Sequence, residues 1–236
     1  MATREHKKKG STDVAVPMED VVRFVRQLSH DLRNHLNAAE LQAAFMNEIA
    51  GDSEVKEEIT RLRGVLGEMG HGLQRLSASL TPPRLTLMPY EAKSFVEDLQ
   101  QKVALQFPEQ KGAIEWKIAA DGATLEIDPQ VLQQAVLELF ANAFLHERGV
   151  GGMTAAAETR GGEFHFTLRE PKAAFNGSTE QWGCEPFRHV KHGHYGIGLH
   201  RTRQIVEAHR GRLEAQFDST TSALATRIIL PVVVAR

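Results

Sequence analysis

The sequence predicts a helical hairpin, paired with a second copy as a four-helix bundle, followed by an α+β two-layer sandwich. Three observations predict it. Apolar residues recur at helical spacing from Val21 to Leu80, broken once at Gly51-Asp52-Ser53. Three prolines, Pro82, Pro83 and Pro89, then interrupt the chain. From Tyr90 onward, helical patterns interleave with alternating apolar runs such as Phe164, Phe166, Leu168.

The first helix of the hairpin carries Val21, Val25, Leu28, Leu32, Leu36, Ala39, Ala43 and Met46. The second carries Val55, Ile59, Leu62, Leu66, Met69, Leu73, Leu76 and Leu80, with Asp52 or Ser53 as its cap. Gly64, Gly67, Gly70 and Gly72 lie in that second helix. They mark either a weak helix, since each costs up to about 1 kcal/mol relative to alanine, or a close helix approach. Two helices cannot bury an apolar stripe alone, so a second copy is the simplest partner. Residues 17–80 are assigned to this hairpin and 81–89 to a linker.

The back of the chain, 90–236, reads as helix 90–106, strands near 113–119 and 123–127, and helix 129–146 opened by Asp128-Pro129. A strand at 153–159 pairs with the Phe164-Phe166-Leu168 strand. A long polar segment, 170–195, precedes helix 197–210 and strands near 211–217 and 223–230. Helices interleaved with antiparallel strands make one helical layer over a sheet.

Composition excludes several classes. At about 150 residues per domain, the 236 residues make roughly one and a half domains. Lys plus Arg (28) nearly balances Asp plus Glu (30), so no global charge favours nucleic acid or an anionic membrane. A single cysteine, Cys184, excludes an intrachain disulfide and fits a cytoplasmic setting. No apolar run approaches the roughly 20 residues that span a bilayer. The N-terminal residues 1–16, which include MATREHKKKGST, are polar and expected to be a disordered tail.

Chemistry begins at a histidine on the polar side of the first helix. At about 100° per residue, with Leu28 at the centre of the stripe, His30 points roughly 200° away, into solvent. Arg26, Arg33, Asn34 and Asn37 share that side. On geometry alone this is an ordinary surface histidine, although an exposed neutral imidazole can also attack phosphorus. Asp31 beside it can orient the ring and take its other proton, and the Asn34 amide lies one turn on.

The string Phe24-Val25-Arg26-Gln27-Leu28-Ser29-His30-Asp31-Leu32-Arg33-Asn34 resembles the phosphoacceptor box of two-component sensor histidine kinases. The family usually continues with Pro-Leu; here the proline is replaced by His35, which the helical count places on the apolar side. The resemblance implies that His30 accepts phosphate, with Asp31 assisting, and that Asn34 aligns a water for removing phosphate from a partner receiver domain.

In helix 129–146, Glu138, Asn142 and His146 stand in one row at i, i+4, i+8. LELFANAFLH resembles the N box of the same kinases and of their wider ATPase superfamily. The resemblance implies that Asn142 holds magnesium beside the nucleotide phosphates and that Glu138 helps hold metal or water. Both are hard oxygen ligands. Leu145 stands where the family often has Lys or Arg. GHYGIGLHRTRQIVEAHRG, Gly193 to Gly211, resembles the second glycine box, with Gly196 and Gly198 letting the backbone approach a triphosphate. Cys184-Glu185-Pro186-Phe187 resembles the family's Phe box. The resemblance covers about residues 20–232.

The first glycine box departs from the family. Where Asp-x-Gly-x-Gly is expected, this chain has Glu170-Pro171-Lys172-Ala173-Ala174. Glu170 stands in for the family's adenine acceptor with one extra methylene; both glycines are absent and Pro171 stiffens the loop. A second cluster, Cys184, His189, His192 and His194, has ligand types that suit zinc but matches no closed finger.

Two readings follow from the resemblance. In one, His30 is phosphorylated from ATP with Mg²⁺ and passes phosphate to an aspartate of a response-regulator receiver domain, the protein being a cytoplasmic homodimer served by a separate sensor protein. In the other, the chain is a histidine phosphotransferase or response-regulator phosphatase whose vestigial ATPase domain does not use ATP. The intact second glycine box and Asn142 favour the first; Glu170-Pro171 and Leu145 favour the second. An anti-sigma-type serine kinase shares the ATPase fold but has no use for the His30 hairpin. Neither a nucleic-acid nor a membrane-spanning role has a supporting feature.

Overall fold

The structure, a computed structural model, describes residues 17–145, 149–172, 175, 178–187 and 196–233. The chain forms two compact units, divided between Leu80 and Thr81.

The first unit is a hairpin of α1 (Met18–Ile49) and α2 (Ser53–Ser79). Glu19 and Asp20 sit in the first turn of α1, where negative charge favours the helix dipole. Asp52 is the cap of α2, its carboxylate accepting from the Glu54 N–H at 2.9 Å. Arg63 Nε crosses to Glu40 Oε1 at 2.7 Å and fixes the register between the helices. Ser29 and Ala43, two heptads apart on α1, are buried, as is Ile59 on α2.

The apolar residues of α1 do not form one stripe centred on Leu28, as helical counting predicts. The buried row passes through Ser29 and Ala43, while Leu28 and Leu32 are 43% and 41% exposed. Phe24, Leu28 and Leu32 make an exposed row on one end of α1, and Leu41, Phe45 and Ile49 make another. Leu62, Val65 and Met69 of α2 are exposed as well. On its own seam α1 thus buries two small residues and leaves several large ones outside. His35 is also exposed rather than packed. A Cβ added at Gly64, Gly67, Gly70 or Gly72 meets nothing within 4 Å, so no approach within the hairpin requires these glycines.

Among the described residues the second unit holds two sheets and three α-helices. A short strand β1 (Met88–Glu91) leads into α3 (Ala92–Gln106), a 3-10 turn (Pro108–Ala113), β2 (Ile114–Ala119), β3 (Thr124–Ile127) and α4 (Pro129–Leu145). Then follow β4 (Met153–Arg160), β5 (Glu163–Pro171), α5 (Gly198–Ala208), β6 (Arg212–Asp218) and β7 (Ala223–Pro231). The five-stranded sheet has the order β2-β4-β5-β7-β6, and β1 pairs with β3 apart from it.

Two features differ from the sequence reading. Residues 88–89, read as the end of the linker, and 90–91, read as the start of a helix, form a strand instead: Pro89 opposes Glu126 in the two-stranded ladder, an edge position where a missing N–H is tolerated. The sheet is not wholly antiparallel, because β2 and β4 run parallel, Ile114 opposite Met153. Parallel neighbours need a crossover, and β3 and α4 lie between them in the chain.

One face of the large sheet carries Trp116, Ala155, Ala157, Phe164, Phe166, Leu168, Leu213, Ile228 and Leu230, against Phe95 and Leu99 of α3, Leu132, Val136 and Phe140 of α4, and Val206 of α5. Phe95 meets Phe164 edge-on at 6.5 Å, and Phe140 meets Phe166 at 6.4 Å. The other face is charged: Arg212 clamps Glu163 through two N–H donors at 2.6 and 3.0 Å.

Candidate functional site

In the hairpin, one turn of α1 assembles three polar groups. The His30 side chain is 65% exposed, and its Nδ1 lies 3.2 Å from Asp31 Oδ1. A carboxylate can only accept, so Nδ1 carries the proton and Nε2 keeps the lone pair. Gln27, one turn earlier, donates to the same carboxylate oxygen at 2.9 Å. The His30 hydrogen bond, then that of Gln27, holds the Asp31 carboxyl below its ordinary range. The Asn34 amide nitrogen sits 3.5 Å from His30 Nδ1, at the outer limit of contact. The arrangement is an oriented imidazole with a free nucleophilic nitrogen facing water and an amide alongside.

In the second unit, α4 and α5 bring the remaining polar positions together. Asp128 starts α4 by accepting from the Val131 N–H at 3.1 Å and from the Thr86 N–H at 2.9 Å. Burial works against its charge, yet the backbone donors Thr86, Val131 and Gln130 hold its carboxyl below the ordinary range. Buried Leu132, Val136, Leu139 and Ala143 fix the rotation of α4. Glu138 and Asn142 therefore stand one turn apart at the edge of the buried stripe.

A Cβ on Gly198 would fall 1.8 Å from Glu138 Oε1, so the carboxylate lies directly on the first residue of α5. Only glycine leaves it that space. Gly196, two residues earlier, has φ +65°, which glycine adopts without strain. Among the described residues no side chain caps the N-terminus of α5, leaving N–H donors of the kind that receive phosphate. Thr202 of α5 donates to the Ala135 carbonyl of α4 at 3.2 Å and keeps the two helices in step. The Asn142 Nδ2 is buried with no hydrogen-bond partner among the described residues. An orphaned amide beside a carboxylate and uncapped N–H groups fits a hydrated metal–phosphate group.

Glu170 sits at the end of β5 on the core face, with Phe164, Phe166 and Leu168. It is buried, and Lys172 Nζ lies 2.7 Å from its Oε2. Burial pushes the Glu170 carboxyl above its ordinary range, and Lys172 pulls it back. This carboxylate already faces an ammonium group, so a base reaches it only by displacing Lys172. Lys172 was absent from the sequence-predicted site, although i, i+2 spacing on a strand places two side chains on one face.

Leu145 is exposed at the end of α4. His146, Gly193 and the histidines of the Cys/His cluster (His189, His192 and His194) lie outside the described residues. Cys184 is exposed, and among the described residues no group of three His, Cys, Asp or Glu is placed to hold a metal ion. His200 sits 3.0 Å from the Cys184 carbonyl and 3.0 Å from Gln204, which gives it a structural role. No helix among the described residues is long and apolar enough to cross a membrane.

No family model and no curated protein matches the chain. Solved structures do. The full-length structure of the histidine kinase ShkA, in complex with AMPPNP, aligns with 90% of this chain at TM-score 0.67 and 18% identity. The chain spans about half of that protein, 46% of its length. The histidine kinase AdeS of Acinetobacter baumannii aligns with 86% of this chain and 97% of its own at TM-score 0.52 and 16% identity. The fold, an N-terminal helical hairpin followed by a mixed α/β sheet unit, is that of the sensor histidine kinases.

Proposed function

From that fold, we propose that the chain is a histidine-kinase-like phosphorelay protein acting through His30. The observation that carries the reading is the His30–Asp31 contact, which puts the proton on Nδ1 and leaves Nε2 to attack phosphorus. The donor is ATP with Mg²⁺, which supplies the phosphoryl group. The Nε2–P bond forms as the P–O bond to ADP breaks, and Asp31 stabilises the positive ring that results. Asn142 and Glu138 would hold the metal and phosphates, and Gly196 and Gly198 would let the backbone approach them, with Glu170 towards the base. The phosphoryl group then passes to an aspartate of a response-regulator receiver domain. Asn34 is positioned to align water for the reverse hydrolysis.

The exposed rows Phe24-Leu28-Leu32 and Leu41-Phe45-Ile49 support a homodimer, since a second hairpin would cover them. A cytoplasmic protein receiving its signal from a separate sensor completes the reading. One observation favours a second reading, a histidine phosphotransferase or response-regulator phosphatase that does not use ATP: the Glu170 carboxylate is already paired with Lys172.

Transfer of γ-labelled phosphate from Mg·ATP to the full chain, beside His30→Gln, tests the first reading. Acid-labile label that is absent from the variant supports it. Absence of label from folded native protein, with label accepted from a phosphorylated receiver domain, replaces it with the second.

A further inference from the structure

The core-facing row that contains Glu170 continues in register through Leu224 of β7 to Phe217 of β6. Phe175 stacks on Phe217, with ring centroids 5.1 Å apart and planes 28° apart, and covers the β6 end of that row. At the other end the Glu170 and Lys172 side chains are only 10% and 7% exposed. Lys172 is not a loose arm. Its own N–H donates to the Ser222 carbonyl at 2.8 Å, and the Pro171 carbonyl accepts from the Gly149 N–H at 2.9 Å. The strand geometry itself therefore delivers the ammonium to the carboxylate two residues earlier.

The Lys172 ammonium stands against Glu170 Oε2 as an ion pair, outside hydrogen-bond geometry, and so occupies the carboxylate that the amino group of adenine would need, a charged group against a neutral one. A donor on the same strand also acts at an effective concentration in the millimolar range or above. Resting on the reading that this unit binds an adenine nucleotide with Glu170 as the acceptor, we propose that Lys172 is an intramolecular competitor for the base and sets the nucleotide affinity of the site. A base enters only when the ammonium moves off the buried Glu170 carboxylate, which then loses the cation that offsets its burial. The second unit is then a nucleotide fold held in a low-affinity state by its own side chain, and its affinity rises when that side chain is removed.

The test is calorimetric titration of the full chain with Mg·ATP, with thermal melting in parallel, for the native protein, Lys172→Met, Asn142→Ala, and the double variant Glu170→Gln/Lys172→Met. The double variant keeps an oxygen acceptor and buries no charge, so it serves if the single variant fails to fold. The expected result is binding at least about tenfold tighter in the Lys172 variants than in the native chain, with a larger melting shift on adding nucleotide. Equal or weaker binding in folded Lys172 variants, while the native chain binds and Asn142→Ala does not, overturns the competitor and leaves the nucleotide reading standing. No binding by any folded protein overturns both.

Discussion

The backbone N–H of Asp128 donates to His209 Nε2 at 3.0 Å, although the two residues are 81 positions apart. His209 Nδ1 in turn donates to the Ile205 carbonyl at 2.7 Å. The ring is therefore neutral, with its proton on Nδ1, and it ties the start of α4 to the end of α5. The opposite ends of these two helices carry Asn142 and Gly198. Replacing His209 with alanine leaves a half-buried donor without this partner and is expected to cost about 1 kcal/mol. Thermal unfolding of the variant should show a midpoint lower by several degrees.

Glu170 gives the fold a pH dependence of definite sign. Burial raises its folded pKa above the ordinary 4.5, so the folded state binds more protons than the unfolded state just above that value. Its contribution is complete below the ordinary value and declines as pH rises. Lys172 limits the decline by pulling the pKa back. In Lys172→Met the decline should be steeper, so urea denaturation should show a larger deficit against the native chain at pH 8 than at pH 5.

Gly198 separates site from fold. A methyl there displaces the Glu138 carboxylate, the mobile end of a side chain, rather than backbone. Gly198→Ala is expected to leave the melting midpoint within a few degrees of native and to weaken Mg·ATP binding about tenfold, measured by calorimetry in the Lys172→Met background. Gly211 provides the contrast: a Cβ there would lie 2.5 Å from the Ile229 carbonyl, so Gly211→Ala should damage the fold itself.

The glycines of α2 make a prediction of opposite direction. Gly67 is exposed and a Cβ there meets nothing. Gly67→Ala should stabilise the hairpin by up to about 1 kcal/mol through helix propensity alone. An unchanged or lower melting midpoint would mean that a second copy approaches closely at this position.

What was legible in the sequence was what is local. The α1, α2, α4 and α5 spans follow from apolar spacing within each helix, and the β4–β5 hairpin from two alternating runs around Gly161-Gly162. The His30, Asp31 and Asn34 set was visible because about one helical turn contains it; Gln27, a turn earlier, joins it only through its bond to Asp31. Strand β1 was hidden because Pro89 reads as a breaker unless its partner Glu126 is known. The parallel β2–β4 pairing was hidden because no short-range pattern encodes the direction of a neighbour far along the chain. The meeting of Glu138 with Gly198 is likewise a product of helix packing. The Glu170–Lys172 pair was within reach, but Pro171 and the missing glycines suggested a loop where β5 continues.

The place of β7 in the sheet bears on how the protein is made. It follows β6 in the chain, yet it lies between β5 and β6. The hairpin closes on contacts between neighbours in the chain and can form early during synthesis. The sheet unit must wait for residues 223–231 to slot between two strands made before them. Until then β5 presents an unpaired edge rich in phenylalanine, so the interval before β7 emerges is when the nascent chain is most exposed to aggregation and most dependent on chaperones.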